Sequence, residues 1–236
     1  MADFKCLVWN CTGLRDSTAT SQNKALYFEK EHKNDFTVAF FIETHHKSEN
    51  EISKEILRYQ GTHHIVHTAA SNKEPYSGII GLVMKDYDII EQNELIKGRI
   101  LNLKIEHSSS KEKHNISAVY LDTNNHITKA KIANVVSCLR GIYDDQPNNI
   151  IVGDFNFIGN EKDKRNGLNE KDKLACKYWN PFLAEMDMVD PFREQNPNRR
   201  IWSFIGTGRA GNTRFFYYKK LRIAFWSKSF LRFWQI

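Results

Sequence analysis

The chain has 236 residues, of which 41% are hydrophobic and 26% charged, as in a soluble globular protein of one large domain or two small ones. Its four cysteines form no CxxC pair, the N-terminus carries no signal peptide and no apolar run could span a membrane, so we expect a reduced, intracellular protein rather than a disulfide scaffold. The net charge of +6 is uneven: ten Lys and Arg residues and one Glu give residues 191–236 a charge of +9, which leaves −3 for residues 1–190.

Apolar strands and charged helical segments alternate in the first half of the chain. Residues 5–10 and 36–43 are predicted strands, and each ends on a polar side chain. Helices are predicted at 21–32 and at 49–59, the latter from Ile52, Ile56 and Leu57 at helical spacing. Five more strands are predicted, at 62–68, 78–84, 87–91, 100–106 and 115–121.

The second half continues this alternation up to about residue 188. A helix at 127–143 places its apolar residues on one side, and a buried strand follows at 149–154. A charged loop and helix are predicted at 161–177, and a separate short helix at 181–188. Mixed strands with intervening helices indicate an α/β sandwich.

The segment Gly153-Asp154-Phe155-Asn156 directly follows the apolar run Ile150-Ile151-Val152. Residues two positions apart in a strand face the same side, so Asp154 and Asn156 are expected side by side. The carboxyl end of a strand in an open sheet is a usual place for a ligand. A carboxylate there can accept a proton or hold a cation, and an amide can orient a water molecule or a phosphate oxygen.

Three other polar residues end predicted apolar strands: Asn10, Glu43 and Tyr120. Metal-assisted phosphodiester hydrolysis needs a carboxylate for Mg²⁺, amides that orient groups, and a donor that stabilises the transition state. Glu43 suits the first role, Asn10 and Asn156 the second, and Tyr120 the third. Asn10 could equally cap a turn before Gly13, and Tyr120 could be an amphipathic core residue.

The order and spacing of these motifs resemble the endonuclease/exonuclease/phosphatase (DNase I-like) superfamily. The likeness is greatest to its apurinic-endonuclease-like branch, as found in non-LTR retrotransposons, and it extends from about Lys5 to Arg214. The motifs that carry it are Trp9-Asn10-Cys11-Thr12-Gly13-Leu14, Ile42-Glu43-Thr44-His45, Ser77-Gly78-Ile79-Ile80-Gly81-Leu82, Val119-Tyr120, Gly153-Asp154-Phe155-Asn156, and Asp190-Pro191-Phe192-Arg193 leading into Trp202-Ser203-Phe204.

The resemblance implies a four-layer α/β sandwich with two mixed, largely antiparallel sheets flanked by helices. It assigns Glu43 as the principal Mg²⁺ ligand and Asn10 as an amide of the metal site, with Mn²⁺ as a substitute ion. It assigns Asp154 to the attacking water, Asn156 to the phosphate and Tyr120 to a place beside the scissile bond. The implied activity is nicking of DNA by a monomer, in the nucleus or the cytoplasm.

The chain departs from the family pattern after Arg214. The family would continue with Ser-Arg-Ile-Asp-Arg and later Ser-Asp-His, whereas residues 191–236 contain no Asp and no His. A change of reading frame, altered splicing or truncation would account for this. We therefore expect a domain at 1–214, a divergent basic and aromatic tail at 215–236 in place of the final catalytic strands, and impaired catalysis.

Two alternatives remain open at this stage. The chain could be a catalytically inactive nucleic-acid-binding relic, or a phosphatase or phosphodiesterase of the same superfamily acting on another phosphoester. Arg199, Arg200, Trp202 and Arg209 are the candidates for contacts with nucleic acid. The pairs His45-His46 and His63-His64, with His67, lack a convincing zinc-ligand spacing, although the first pair could line a groove beside Glu43.

Overall fold

The computed structural model describes residues 4–14, 36–121, 128–143, 148–163, 167–198 and 213–218, together with Lys24, Leu26, Phe28 and Lys30, which are helical. Ten strands lie in these residues: β1 (Cys6–Asn10), β2 (Val38–Ile42), β3 (His63–Thr68), β4 (Ile79–Met84), β5 (Tyr87–Ile96), β6 (Ile100–His107), β7 (Lys113–Tyr120), β8 (Asn149–Asp154), β9 (Met188–Val189) and β10 (Thr213–Tyr218). The α-helices are α1 (Lys54–Leu57), α2 (Lys129–Arg140), α3 (Glu170–Glu185) and α4 (Pro191–Gln195), and short 3-10 segments lie at Glu49–Glu51, Arg58–Gly61 and Glu161–Asp163.

The strands form two mixed sheets. The four-stranded sheet has the order β1-β2-β4-β3, and the six-stranded sheet has the order β5-β6-β7-β8-β10-β9. Among the strand pairs of the described residues, β1–β2 and β7–β8 are the parallel ones. Asn10, Tyr120 and Asp154 end β1, β7 and β8, and Glu43 directly follows β2, so the predicted polar residues lie at the carboxyl ends of these four strands.

The main core lies between the two sheets, where alternate residues of each strand interdigitate. The inward residues include Val8 of β1, Phe40 of β2, Ala118 of β7 and Val152 of β8. Helices α2 and α3 cover the outer face of the six-stranded sheet through a second cluster around Trp179. A third cluster covers the outer face of the four-stranded sheet. The predicted four-layer α/β sandwich is confirmed.

Helix α3 corrects one prediction. Residues 161–177 and 181–188 were expected to form two elements separated near Pro181, but α3 runs unbroken through Pro181 to Glu185. A capping box between Asn169 and Asp172 begins the helix, and burial of Trp179 and Phe182 on either side of the proline holds it. Packing thus outweighs the local cost of a proline in a helix interior. The residues after the helix, Met188–Val189, form β9.

The end of strand β5 differs from its prediction. Strand β5 continues to Ile96, five residues beyond the predicted end, because it pairs with β6 through two β-bulges.

Strand β10 pairs with β8 so that Thr213 lies opposite Asp154 and Tyr217 opposite Ile150. The proposed division of the chain between residues 214 and 215 falls inside this strand, and that division stays a prediction. Most of the predicted helix at 21–32 lies outside the described residues.

All four cysteines are free thiols, and Cys6 and Cys11 are buried. Among the described residues, no helix is both long and apolar enough to cross a bilayer.

Candidate active site

The ends of β1, β2, β7 and β8 meet at one end of the sandwich. Asn10, Tyr120 and Asp154 each continue the inward-facing series of their own strand, so their side chains follow the apolar core out to its edge. Glu43 is the first residue after β2. The fold therefore brings together four side chains that are up to 144 positions apart in the sequence.

Glu43 leaves the strand in the left-handed region, with φ of 59°, which turns its side chain towards the other strand ends. Burial by itself would raise the pKa of this carboxyl. Hydrogen bonds with His45, Asn10 and Tyr120 outweigh burial, so the pKa lies below its usual value. The carboxylate is therefore charged at neutral pH, and its side chain is 19% exposed. His45, which was expected beside Glu43, lies with Nε2 3.5 Å from Glu43 Oε1.

Asp154 is fully buried, and both of its carboxylate oxygens accept hydrogen bonds. Asn10 Nδ2 donates to Asp154 Oδ2 over 3.0 Å, and the backbone N–H of Asn156 donates to Asp154 Oδ1 over 3.0 Å. These two hydrogen bonds fix the orientation of the buried Asp154 carboxylate beside Asn10. Asn10 also contributes to the lowered pKa of Glu43, so its amide lies close to both carboxylates of the site.

Asn156 follows Asp154 closely but turns its amide inward. Its φ is 50°, and Nδ2 donates to the carbonyl of Leu121 over 2.7 Å. The backbone N–H of Leu121 in turn donates to the carbonyl of Asp154 over 2.9 Å. Asn156 thus ties the segment after β8 to the end of β7, and its predicted contact with a phosphate stays a prediction.

The hydroxyl of Tyr120 lies beside the carboxylate of Glu43. Burial and the nearby negative charge of Glu43 raise the pKa of this phenol far above its usual value, so it is a neutral donor at any physiological pH. The guanidinium of Arg99 lies 4.8 Å from the centre of the Tyr120 ring, and Arg99 Nε pairs with Glu74 Oε2 at 2.8 Å. Arg99 was not predicted as a site residue, because its local sequence shows only an arginine between a turn glycine, Gly98, and an apolar strand.

The donor set at this site fits a hard cation. Two carboxylates and an amide match Mg²⁺ or Mn²⁺, which take one or two carboxylates and complete their shell with water and phosphate oxygens. Within the described ranges, no group of three or more His, Cys, Asp or Glu side chains is placed to hold a metal. The oxygen-rich set suits magnesium better than zinc, whose sites use imidazole and thiolate.

The proposed nucleic-acid contacts Arg199, Arg200, Trp202 and Arg209 lie outside the described residues, so they stay predictions. Strand β10 pairs with β8, and its first residue, Thr213, lies opposite Asp154. Its sequence, Thr-Arg-Phe-Phe-Tyr-Tyr, contains neither a carboxylate nor an imidazole.

No protein-family model matches this chain, and no curated protein matches its sequence. Solved structures do match. The endonuclease domain of TRAS1, a telomere-specific non-LTR retrotransposon, superposes with a TM-score of 0.64 at 13% identity, over 92% of this chain and 85% of that one. The AP endonuclease LMAP from Leishmania major gives a TM-score of 0.65 at 14% identity, over 91% and 79%.

The chain has the DNase I-like fold. TDP2 from D. rerio, solved with a single-strand DNA product, also shares it, with a TM-score of 0.58 at 12% identity over 94% of this chain and 86% of that one. The predicted fold is thereby confirmed. In this DNase I-like fold, Asn10, Glu43, Tyr120 and Asp154 lie together where the parallel strands end.

Proposed function

We propose that this protein is a Mg²⁺-dependent phosphodiesterase of the DNA endonuclease type, in which the missing terminal Asp and His motifs impair catalysis. The single observation that carries the proposal is the amide of Asn10, which donates to the carboxylate of Asp154 and lies beside that of Glu43. The fold neighbours support DNA as the substrate, because they include a retrotransposon endonuclease domain, an AP endonuclease and a protein solved with a DNA product.

Each residue has a role that follows from its contacts. Glu43 and the side-chain carbonyl of Asn10 would hold Mg²⁺ or Mn²⁺. The bound ion would stabilise negative charge on the phosphate as a Lewis acid. Asp154, held by Asn10 and by the backbone N–H of Asn156, would orient the attacking water. Tyr120, as a neutral phenol beside Glu43, would donate towards developing negative charge. Asn156 is the exception: its amide contacts the carbonyl of Leu121, and its assignment to a phosphate oxygen rests on the family resemblance.

The expected impairment is large but incomplete. Removal of a group that polarises phosphate or transfers a proton costs roughly 10²–10⁴-fold in rate. The groups that remain act on the metal and the water, so residual nicking is expected. We expect a monomer acting on target-site DNA of the retrotransposon type, in the nucleus or cytoplasm.

A second candidate function is DNA binding without cleavage. It is favoured by the absence of Asp and His from residues 191–236, which together carry a net charge of +9. Binding of this kind would rest on phosphate contacts and aromatic stacking and would weaken steeply as the salt concentration rises.

Plasmid nicking tests the proposal. The full chain is incubated with supercoiled DNA and Mg²⁺, beside an EDTA control and the variants Asp154→Ala and Asp88→Ala. Asp88 is exposed and lies at the opposite end of the six-stranded sheet, so it is a matched control. Nicking that requires Mg²⁺ and Asp154 but not Asp88 supports the proposal. Nicking no greater than that of Asp154→Ala would reject it, and salt-sensitive DNA binding would then identify the second candidate.

A further inference from the structure

The loop Cys11–Leu14 connects the site residue Asn10 to the rest of the chain. On one side, its N–H groups face the segment that carries Glu43: Gly13 N donates to the carbonyl of Glu43 over 2.7 Å, and Leu14 N donates to the carbonyl of Thr44 over 2.9 Å. The two segments that supply Asn10 and Glu43 are thus joined through their backbones.

The carbonyl groups of the same loop face the other way and converge on one cation. Lys24 Nζ donates to the carbonyl oxygens of Cys11 at 2.7 Å, Thr12 at 3.0 Å and Gly13 at 3.3 Å. Three successive carbonyls can face one point because Thr12 and Gly13 both adopt positive φ, 47° and 95°. An ammonium group has three N–H donors and no acceptor, so it matches the three oxygens in number.

Thr12 links this arrangement to the site. While its carbonyl accepts from Lys24, its backbone N–H donates to Asn10 Oδ1 over 3.1 Å. Asn10 Nδ2 in turn donates to Asp154 Oδ2. Thr12 therefore connects the Lys24 ammonium, through its own two hydrogen bonds, to the Asn10 amide that holds Asp154.

We propose that Lys24 is a positioning residue of the active site, whose ammonium holds the carbonyls of Cys11, Thr12 and Gly13 together and so fixes the Asn10 amide. Without the cation, three carbonyl dipoles would face one another with no donor between them, and the loop would relax by turning them towards water. Thr12 would rotate with them, and Asn10 would lose the contact that orients it. The consequence for cleavage rests on the function proposed above, whereas the consequence for Asn10 does not.

The primary test is NMR of the metal-free protein. Lys24→Met keeps the length of the side chain and removes the charge, and Lys30→Met, at an exposed helical lysine, is the matched control. We expect Lys24→Met to shift the Asn10 side-chain amide signals and to speed hydrogen exchange at Thr12 by about tenfold. Lys30→Met should change neither, and Lys24→Arg, which keeps a cationic donor, should restore the Asn10 signals.

A remote reporter separates positioning from general stability. The indole N–H signal of Trp179, buried beneath α3, should be unchanged in Lys24→Met. In Lys24→Ala, added ethylammonium should enter the vacated space and return the Asn10 signals towards their wild-type positions. Unchanged Asn10 and Thr12 signals in Lys24→Met would overturn the proposal, and so would a shift of Trp179 as large as that of Asn10.

Nicking by the same variants distinguishes the two proposals. If the wild-type chain nicks DNA, Lys24→Met should lower kcat more than it raises KM, because the lysine acts on the catalytic geometry and not on DNA. A KM effect alone would overturn the positioning role. If the wild-type chain does not nick DNA, the proposed function fails, and the NMR comparison still decides the role of Lys24.

Discussion

At the scale of single residues, the lowered pKa of Glu43 depends on three neighbours, of which Tyr120 is the most buried. Tyr120→Phe removes a hydroxyl donor and retains the ring that contacts Arg99. Since a donor to a carboxylate favours its charged form, the variant should raise the pKa of the Glu43 carboxyl. A ¹³C NMR pH titration of the glutamate carboxyls in EDTA would measure the change.

Tyr178→Phe, on α3 and away from the site, is the control for this titration and should leave the pKa of Glu43 unchanged. An equal pKa in wild-type protein and Tyr120→Phe would show that Asn10 and His45 alone hold the carboxylate in its charged form.

The convergence of candidate site residues could be predicted from the sequence when each ended an apolar strand, whereas their roles stay predictions. Asn10, Glu43, Tyr120 and Asp154 all do so, and the fold needed only to bring the strand ends together. Arg99 and Lys24 were not found, because their contacts depend on where a turn and a helix pack and not on any local pattern. Packing of this kind is decided by long-range register, which a single sequence does not express.

At the scale of elements, the position of Asp154 depends on how closely β8 approaches β7. Gly153 has φ of 150°, and a Cβ atom there would lie 1.8 Å from the carbonyl oxygen of Val119. The parallel pairing of the two strands therefore excludes every side chain at this position. The sequence predicted the strand itself, but the reason for its glycine became evident only from the neighbouring backbone.

Gly153→Ala should destabilise the fold by at least about 3 kcal/mol, because neither backbone can move without breaking the β7–β8 ladder. Gly159→Ala is the matched control: no atom of the described residues lies within 4 Å of its added Cβ, so a change within about 0.5 kcal/mol is expected. Urea denaturation followed by tryptophan fluorescence would measure both. Equal stability of the two variants would contradict the close approach of β8 to β7.

At the scale of the whole molecule, the inter-sheet core has a polar end and an aromatic end. Asn10, Tyr120 and Asp154 lie at one end, and His114, the inward residue near the start of β7, lies at the other. The ring of His114 stacks on Phe4 with centroids 4.0 Å apart. The sequence predicted the alternation that creates this core, but not that a histidine would be buried in it.

His114 should make the stability of the protein depend on pH. Burial, followed by the nearby charge of His107, lowers its pKa from 6.5 to about 4, and neither ring nitrogen has a hydrogen-bond partner among the described residues. Glu112 Oε1 lies 3.7 Å away, but this carboxylate is 46% exposed and solvated, so burial prevails. His46, buried near Thr44, has a pKa lowered to about 4 for similar reasons.

The sign of the effect follows from proton binding. Above pH 6.5 the imidazole is neutral in both the folded and the unfolded state, so His114 does not lower the free energy of unfolding. Between pH 6.5 and 4 the unfolded state binds a proton that the folded state does not, so stability falls as the pH falls. For one histidine with this shift, the loss at pH 5 is about 2 kcal/mol.

The measurement is urea denaturation at pH 7.5 and pH 5. His114→Leu removes the proton-binding group and fills its apolar site, so the variant should lose about 2 kcal/mol less than the wild type between the two pH values. Gln92→Leu, at an exposed and non-titratable position of β5, is the control and should keep the wild-type pH dependence. If His114→Leu also showed the wild-type change in stability between pH 7.5 and pH 5, the pKa of His114 would have to be nearly equal in the folded and unfolded states. The imidazole would then have to be charged in the core, with Glu112 drawn in to neutralise it.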